Sequence, residues 1–201
     1  VRNSEMLQSF VRLTEFAQEH AVRAVLIAGD LFDGARVRVR TVDALLAAIR
    51  RTPEVDYLYL PGNHDEAANA FCDCALPENL KVFGKTWSTV QYDGIAISGA
   101  QLGLDAAFYE SLPHTDGAVN LVMLHGGIGT ACGEDMINLN LLKNRGIDYL
   151  ALGHLHTYQT GPLDETGSYC YPGCLEGRGF DECGEKGFVL LTVEDGSVAH
   201  E

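Results

Sequence analysis

Ala24-Val25-Leu26-Ile27-Ala28-Gly29-Asp30 and Tyr57-Leu58-Tyr59-Leu60-Pro61-Gly62-Asn63 are the stretches that decide the fold. Each is a short, continuous apolar run that stops at a glycine and a polar residue, the pattern of strands buried on both faces of a parallel sheet. Between them, roughly from Arg38 to Arg51, Val42, Leu45, Leu46 and Ile49 recur at helical spacing, and the segment stops before Pro53. Strand, loop, helix and strand make a βαβ unit. Its loops leave from the carboxyl ends of the strands, where ligands bind in open α/β sheets.

Working outward, Met6, Leu7, Phe10, Val11, Leu13, Phe16 and Ala17 set out an amphipathic helix ahead of the first strand. Downstream, Val82-Phe83, Trp87 to Tyr92 and Ile95 to Ser98 are short strand-like pieces, with Asp93-Gly94 a hairpin signal between the last two. A helix near Asp105 to Leu112 precedes a buried strand from Val119 to Leu124 that ends in His125-Gly126. A helix from about Leu139 to Arg145 leads to a strand from Tyr149 to Leu152 that ends in Gly153-His154. Thr157 to Thr160, Ser168 to Tyr171 and Gly187 to Val193 read as antiparallel strands. The simplest architecture is one domain over residues 1–201, with helices outside and two sheets stacked inside.

The 201 residues are 46% apolar and 21% charged, enough for one sizeable core. A formal charge of −14 is the opposite of the broad basic footprint of a duplex-binding surface, so an anionic substrate must be met locally. No window approaches the ~18 consecutive apolar residues of a membrane span, and no signal-peptide pattern opens the chain; the expectation is a cytoplasmic protein with no membrane partner. Cys72, Cys74, Cys132, Cys170, Cys174 and Cys183 then read as reduced, small buried side chains. A structural zinc is the alternative, but the paired C-x2-C spacing is missing.

Four strand ends terminate in residues that metals favour: Asp30, Asn63 with His64, His125, and His154 with His156. They become neighbours if their strands lie side by side in one sheet. Mixed carboxylate, amide and imidazole ligation suits manganese, iron or zinc better than calcium or magnesium, which prefer all-oxygen shells. Capping and turn roles at strand ends are the alternative for each residue alone. Arg36, Arg38, Arg40, Arg50 and Arg51 form a local basic cluster, and Arg178 lies in a Gly-Arg-Gly loop; Arg36 and Arg178 are the candidates for binding substrate, against the alternative of solvated surface arginines.

Gly29-Asp30-Leu31-Phe32-Asp33, Gly62-Asn63-His64-Asp65, Leu124-His125-Gly126 and Gly153-His154-Leu155-His156 resemble signature blocks of the calcineurin-like metallophosphoesterases. The stretch Tyr171-Pro172-Gly173-Cys174-Leu175-Glu176 with Phe180-Asp181-Glu182 is similar to the SbcD-like DNA-repair exonuclease branch. The resemblance implies a four-layer αββα sandwich and a dinuclear centre. In it Asp30 bridges two metals, Asn63, His125 and His154 complete one shell, and His156 serves the other. It further implies that His64 acts as general acid or charge stabiliser, oriented by Asp33 or Asp65. The first block of that family, an Asp-x-His at the end of an opening strand, has no counterpart here. The expectation is therefore an N-terminally incomplete domain that holds one divalent metal, manganese foremost, where the complete protein holds two.

The function implied is hydrolysis of a phosphodiester by metal-activated water, with exonuclease action and DNA repair as its narrower forms. The substrate expected is a nucleic-acid end, a nucleotide or another small phosphodiester, with an ATPase as possible partner. The rival reading is a catalytically impaired metal-binding or interaction module.

Overall fold

The βαβ unit forms as its pattern predicts. In the computed structural model, which describes residues 2–32, 38–62, 71, 75–103, 105–133, 135–177 and 184–201, β1 (Ala24–Ala28) runs parallel to β2 (Asp56–Leu60), with α2 (Val39–Arg50) between them in sequence. Before β1, α1 (Arg2–Glu19) packs on α2. The short strand β3 (Leu80–Val82) adds parallel to β2, closing a three-stranded sheet of order β1-β2-β3.

Side-chain alternation sorts this sheet's two faces. Val25, Tyr57 and Tyr59 turn toward the helices and meet Phe10, Ala17, Leu45 and Ile49. Ala24, Leu26, Leu58 and Leu60 turn the other way, toward a second sheet. Tyr57, Leu58, Tyr59 and Leu60 are all fully buried, as a strand covered on both faces requires. The same burial was expected of β1, but only Val25 is buried there, and Ala24, Leu26, Ile27 and Ala28 stay half-exposed. The cause is a cavity along the outer edge of β1.

The second sheet has six strands in the order β10-β11-β9-β6-β5-β4. β4 (Ser88–Tyr92) and β5 (Ile95–Gly99) form the antiparallel hairpin turned at Asp93-Gly94, with Gly94 at φ +71° where the turn needs a left-handed residue. β6 (Val119–His125) is parallel to β5, and β9 (Tyr149–Gly153) is parallel to β6. Beyond it lie β11 (Ser168–Tyr171) and β10 (Gln159–Pro162). β11 is antiparallel to β10 but parallel to β9, so the expected all-antiparallel end of the chain is corrected: the chain steps out to β10 and returns into the place beside β9.

Residues of β6 split in the same way. Leu121 and Met123 face the first sheet, whereas Val122 and Leu124 join Phe108, Ile137 and Leu142 on the outer face. That outer layer is carried by α3 (Ala106–Glu110), by the small parallel pair β7 (Gly127–Gly129) and β8 (Met136–Asn138), and by a 3-10 turn at Leu139–Leu141. A longer helix was expected from Leu139 to Arg145. It is cut short because Asn144 and Gly146 adopt φ values of 57° and 70°, which end helices. The layers are thus helices, three strands, six strands and an outer helical layer, in agreement with an αββα sandwich. A separate hairpin, β12 (Leu191–Glu194) with β13 (Ser197–His200), packs Leu191, Val193 and Val198 against the same inner face of the six-stranded sheet.

Candidate metal centre

Asp30, His125 and His154 converge, with one ligand atom from each lying within 4.8 Å of the others. Asp30 lies two residues beyond β1, His125 is the last residue of β6, and His154 directly follows β9. Because His125 is in register with Gly153 across the β6-β9 pair, the two histidines are brought side by side, and their rings meet edge to face at 5.4 Å. Asp30 comes from the other sheet. The expectation that all these strand ends share one sheet is therefore corrected: the ligands meet across the gap between two sheets whose carboxyl ends open on the same side.

Close backbone approach makes the meeting possible. A Cβ on Gly29 would fall 2.0 Å from Nδ1 of His125, and a Cβ on Gly153 would fall 1.5 Å from the Ala28 carbonyl oxygen. Only glycine fits at either place. Asp30 and His154 themselves hold positive φ angles of 53° and 111°. Non-glycine residues in such conformations cost on the order of 1–3 kcal/mol each and gather at functional sites.

The electrostatics of the cluster are set by His125, which is 3% exposed. Its Nδ1 donates to the Ala28 carbonyl at 2.8 Å, an acceptor that fixes the proton on that nitrogen. Nε2 is left buried and without a hydrogen-bond partner among the described residues. It faces Oδ2 of Asp30 at 3.7 Å, too far for a hydrogen bond. A buried imidazole nitrogen held in one tautomer by a backbone carbonyl, facing a carboxylate, is the arrangement of a metal-ligating histidine. One carboxylate and two imidazoles form a donor set that fits a divalent transition metal.

Two supporting contacts were not evident in the sequence. The hydroxyl of Tyr171, whose pKa burial raises far above the ordinary value, donates to the carbonyl of Gly126 at 2.6 Å and pins the chain just after His125. The Ala28 carbonyl that orients His125 comes from the main chain, for which no residue type signals the role. A tyrosine 45 positions after Gly126 offers no spacing signal either.

His156 stands on the loop after β9 and is not one of the three clustered residues. Its carbonyl accepts from Nζ of Lys186 at 3.3 Å and from Sγ of Cys174 at 3.6 Å. Asn63, His64, Asp65, Asp33, Arg36 and Arg178 lie outside the described residues, as do Cys72, Cys74 and Cys183. Gly62, immediately before Asn63, is described: a Cβ there would lie 2.9 Å from Nε2 of His125 and 3.0 Å from Oδ1 of Asp30. Arg38 and Arg40 are exposed, whereas Arg50 is engaged with the Ala75 carbonyl. Among the described cysteines, Cys170 is buried as expected, but Cys132 and Cys174 are only partly buried, since they lie in surface loops rather than strands.

Comparison with known proteins agrees with this geometry. A family model described as calcineurin-like phosphoesterase matches residues 4–158. An uncharacterized metallophosphoesterase, YhaO of Bacillus subtilis, is 29% identical over 203 residues, covering 92% of this chain and 48% of the relative. The DNA double-strand break repair protein Mre11 of Methanopyrus kandleri is 25% identical over 232 residues, covering 98% of this chain and 51% of the relative. The chain thus spans about half the length of these curated relatives. No helix among the described residues is long and apolar enough to cross a membrane.

Proposed function

The chain belongs to the calcineurin-like phosphoesterase family, whose members hydrolyse phosphoesters with divalent metals, and from that premise we propose that it acts on phosphodiesters. The observation that carries the proposal is the convergence of Asp30, His125 and His154, with the buried Nε2 of His125 left without a hydrogen-bond partner among the described residues. These three residues hold a metal, manganese foremost. A bound divalent cation supplies Lewis acidity toward phosphoryl oxygens and lowers the pKa of water. The protein's own part begins with His125, whose Nδ1–H is anchored so that the ring cannot swing away. Asn63 follows Gly62, where a Cβ would already meet His125 and Asp30, and would add an amide oxygen to that metal's shell; His156 would serve a second metal.

His64, next to Asn63, acts as general acid toward the leaving oxygen or as charge stabiliser, with Asp33 or Asp65 orienting the ring. Arg36 and Arg178 grip substrate phosphate with paired guanidinium donors. With a charge of −14 there is little to hold a long duplex, so the substrate is a small phosphodiester or a nucleic-acid end. The name of one relative, a DNA double-strand break repair protein, supports the nucleic-acid end. An exonuclease role, a cytoplasmic location and an ATPase partner are the narrower parts of the same proposal.

The test is hydrolysis of bis(p-nitrophenyl) phosphate against p-nitrophenyl phosphate with Mn²⁺ supplied. Faster, metal-dependent cleavage of the diester is expected, lost in His154→Ala together with metal binding and lost in His64→Ala with metal retained. Metal binding without hydrolysis of either substrate would overturn the enzymatic reading and leave a metal-binding interaction module.

A further inference from the structure

Between β9 and β10 the chain carries His154 and His156 on a loop, residues 154–158, that belongs to neither strand. His154 holds φ at 111° there, a conformation that persists in a non-glycine residue only where its surroundings impose it. Two later segments supply those surroundings, and they meet at the carbonyl of His156. That oxygen accepts from Nζ of Lys186, 30 positions on, and from the weaker donor Sγ of Cys174, 18 positions on. Gly173 closes against the same place. At its φ of +81°, a Cβ would lie 3.2 Å from both the His156 carbonyl oxygen and the Tyr158 amide nitrogen, so main chain packs directly on main chain.

Lys186 is itself held in place. Residues 184–190 form no regular element ahead of β12, yet the Gly187 amide donates to the Cys174 carbonyl at 3.4 Å, and the Phe188 ring meets Phe16 of α1 at 4.9 Å. From the other segment, Glu176 Oε2 accepts from Ser9 Oγ of α1 at 2.7 Å. Both segments that brace the loop are thus tied to the same helix. Lys186 is half-buried, and a hydrogen bond from an ammonium is roughly twice as strong as one between neutral groups. A carbonyl held in this way fixes the peptide plane between His156 and Thr157, and with it the direction in which the His156 ring leaves the main chain. Asp30, His154 and His156 line one cavity, so that direction decides how the ring stands toward the cluster.

We propose that Lys186 is a positioning residue for the metal centre: by holding the His156 carbonyl, its ammonium sets the loop that carries His154 and His156 in the geometry that ligates a cation. Lys186 acts through that carbonyl rather than on metal or substrate. The proposal rests on the metal-binding reading of Asp30, His125 and His154, and extends it to a segment that contributes no ligand to that cluster.

The test compares the parent protein with Lys186→Met, which keeps an unbranched stem and loses the donor, and with Lys186→Arg, which keeps a charged donor. Mn²⁺ affinity is read by isothermal titration, and the ring resonances of His154 and His156 by NMR in the absence of metal. Lys186→Met should bind Mn²⁺ at least ~10-fold more weakly, as loss of an orienting partner does, and should show shifted His156 ring resonances. Lys186→Arg should recover most of the affinity and the parent resonances, which a loss of packing alone would not produce. Parent-like Mn²⁺ affinity or an unshifted His156 ring in Lys186→Met would overturn the proposal, and so would Lys186→Arg as impaired as Lys186→Met. A parent protein that binds no Mn²⁺ would sink the metal reading instead. The metal-free resonances would then decide alone: a His156 shift in Lys186→Met that Lys186→Arg reverses supports Lys186 as the residue that sets the loop, and no shift overturns it.

Discussion

Nδ1 of His125 donates to the carbonyl oxygen of Ala28, 97 residues earlier and in the other sheet, across 2.8 Å. That one bond ties the two sheets together at their carboxyl ends and selects which imidazole nitrogen is left for a metal. It gives the cluster a tautomer without calling on any other side chain.

His125→Ala removes a ligand and leaves the Ala28 carbonyl without its donor. Mn²⁺ affinity, measured by isothermal titration, should fall by at least ~100-fold, the upper end of what losing a mere orienting partner costs. The parent protein at 100 times its Kd should gain about 2.7 kcal/mol of stability, seen as a raised Tm that EDTA reverses. The variant should show no metal-dependent shift.

Gly153→Ala places a methyl group 1.5 Å from the Ala28 carbonyl oxygen, a main-chain atom that cannot step aside cheaply. The strand ends should be forced apart, with a loss of about 3 kcal/mol in urea unfolding. Metal affinity should fall with it. Gly84→Ala, where a Cβ would meet nothing within 4 Å, is the control and should change neither.

Asn79 is a buried connector outside the metal centre. Its Nδ2 lies 3.1, 3.0 and 2.9 Å from the carbonyls of Ile49, Thr52 and Val55, which joins the end of α2 to the start of β2. Asn79→Ala leaves these acceptors short of donors in a water-poor place and should cost roughly 2 kcal/mol by chemical denaturation. Metal affinity should be unchanged, because the contacts lie at the amino end of β2, away from Gly62 at its other end.

Asp56 links pH to stability. Burial pushes its pKa up, but hydrogen bonds from Lys81 at 2.9 Å and Tyr92 at 2.8 Å, together with the charges of Lys81 and Arg23, outweigh that and hold it below the ordinary 3.8. A carboxyl group with a depressed folded-state pKa contributes stability that is present above its unfolded value and is lost as pH falls through the folded one. Asp56→Asn should therefore unfold at a lower Tm than the parent at pH 7, and the difference should shrink as pH drops below 3.8. A difference constant from pH 7 to pH 2 would contradict this assignment.

Much of the architecture was legible in local pattern. The apolar runs at 24–28, 57–60, 119–124 and 149–152 all became strands, since hydrophobic continuity and its glycine stops are local properties. The Asp93-Gly94 turn is local as well. The helix expected over Leu139 to Arg145 failed because left-handed Asn144 and Gly146 overrode apolar spacing. The direction of β11 was not legible, because pairing with β9 rather than with β10 alone is settled by where the chain returns.

The site divides in the same way. The sequence by itself determined which residue types stand at the strand ends, and so nominated Asp30, His125 and His154 as ligands. Tertiary structure alone decided that these ends meet across two sheets, that Ala28 selects which nitrogen of His125 is left for a metal, and that β1, among the described residues, keeps an open edge beside an apolar cavity. Residue identity fixes what a side chain can donate or accept. Distance, tautomer and vacancy arise only when segments far apart in the chain are packed together, and no local pattern encodes them.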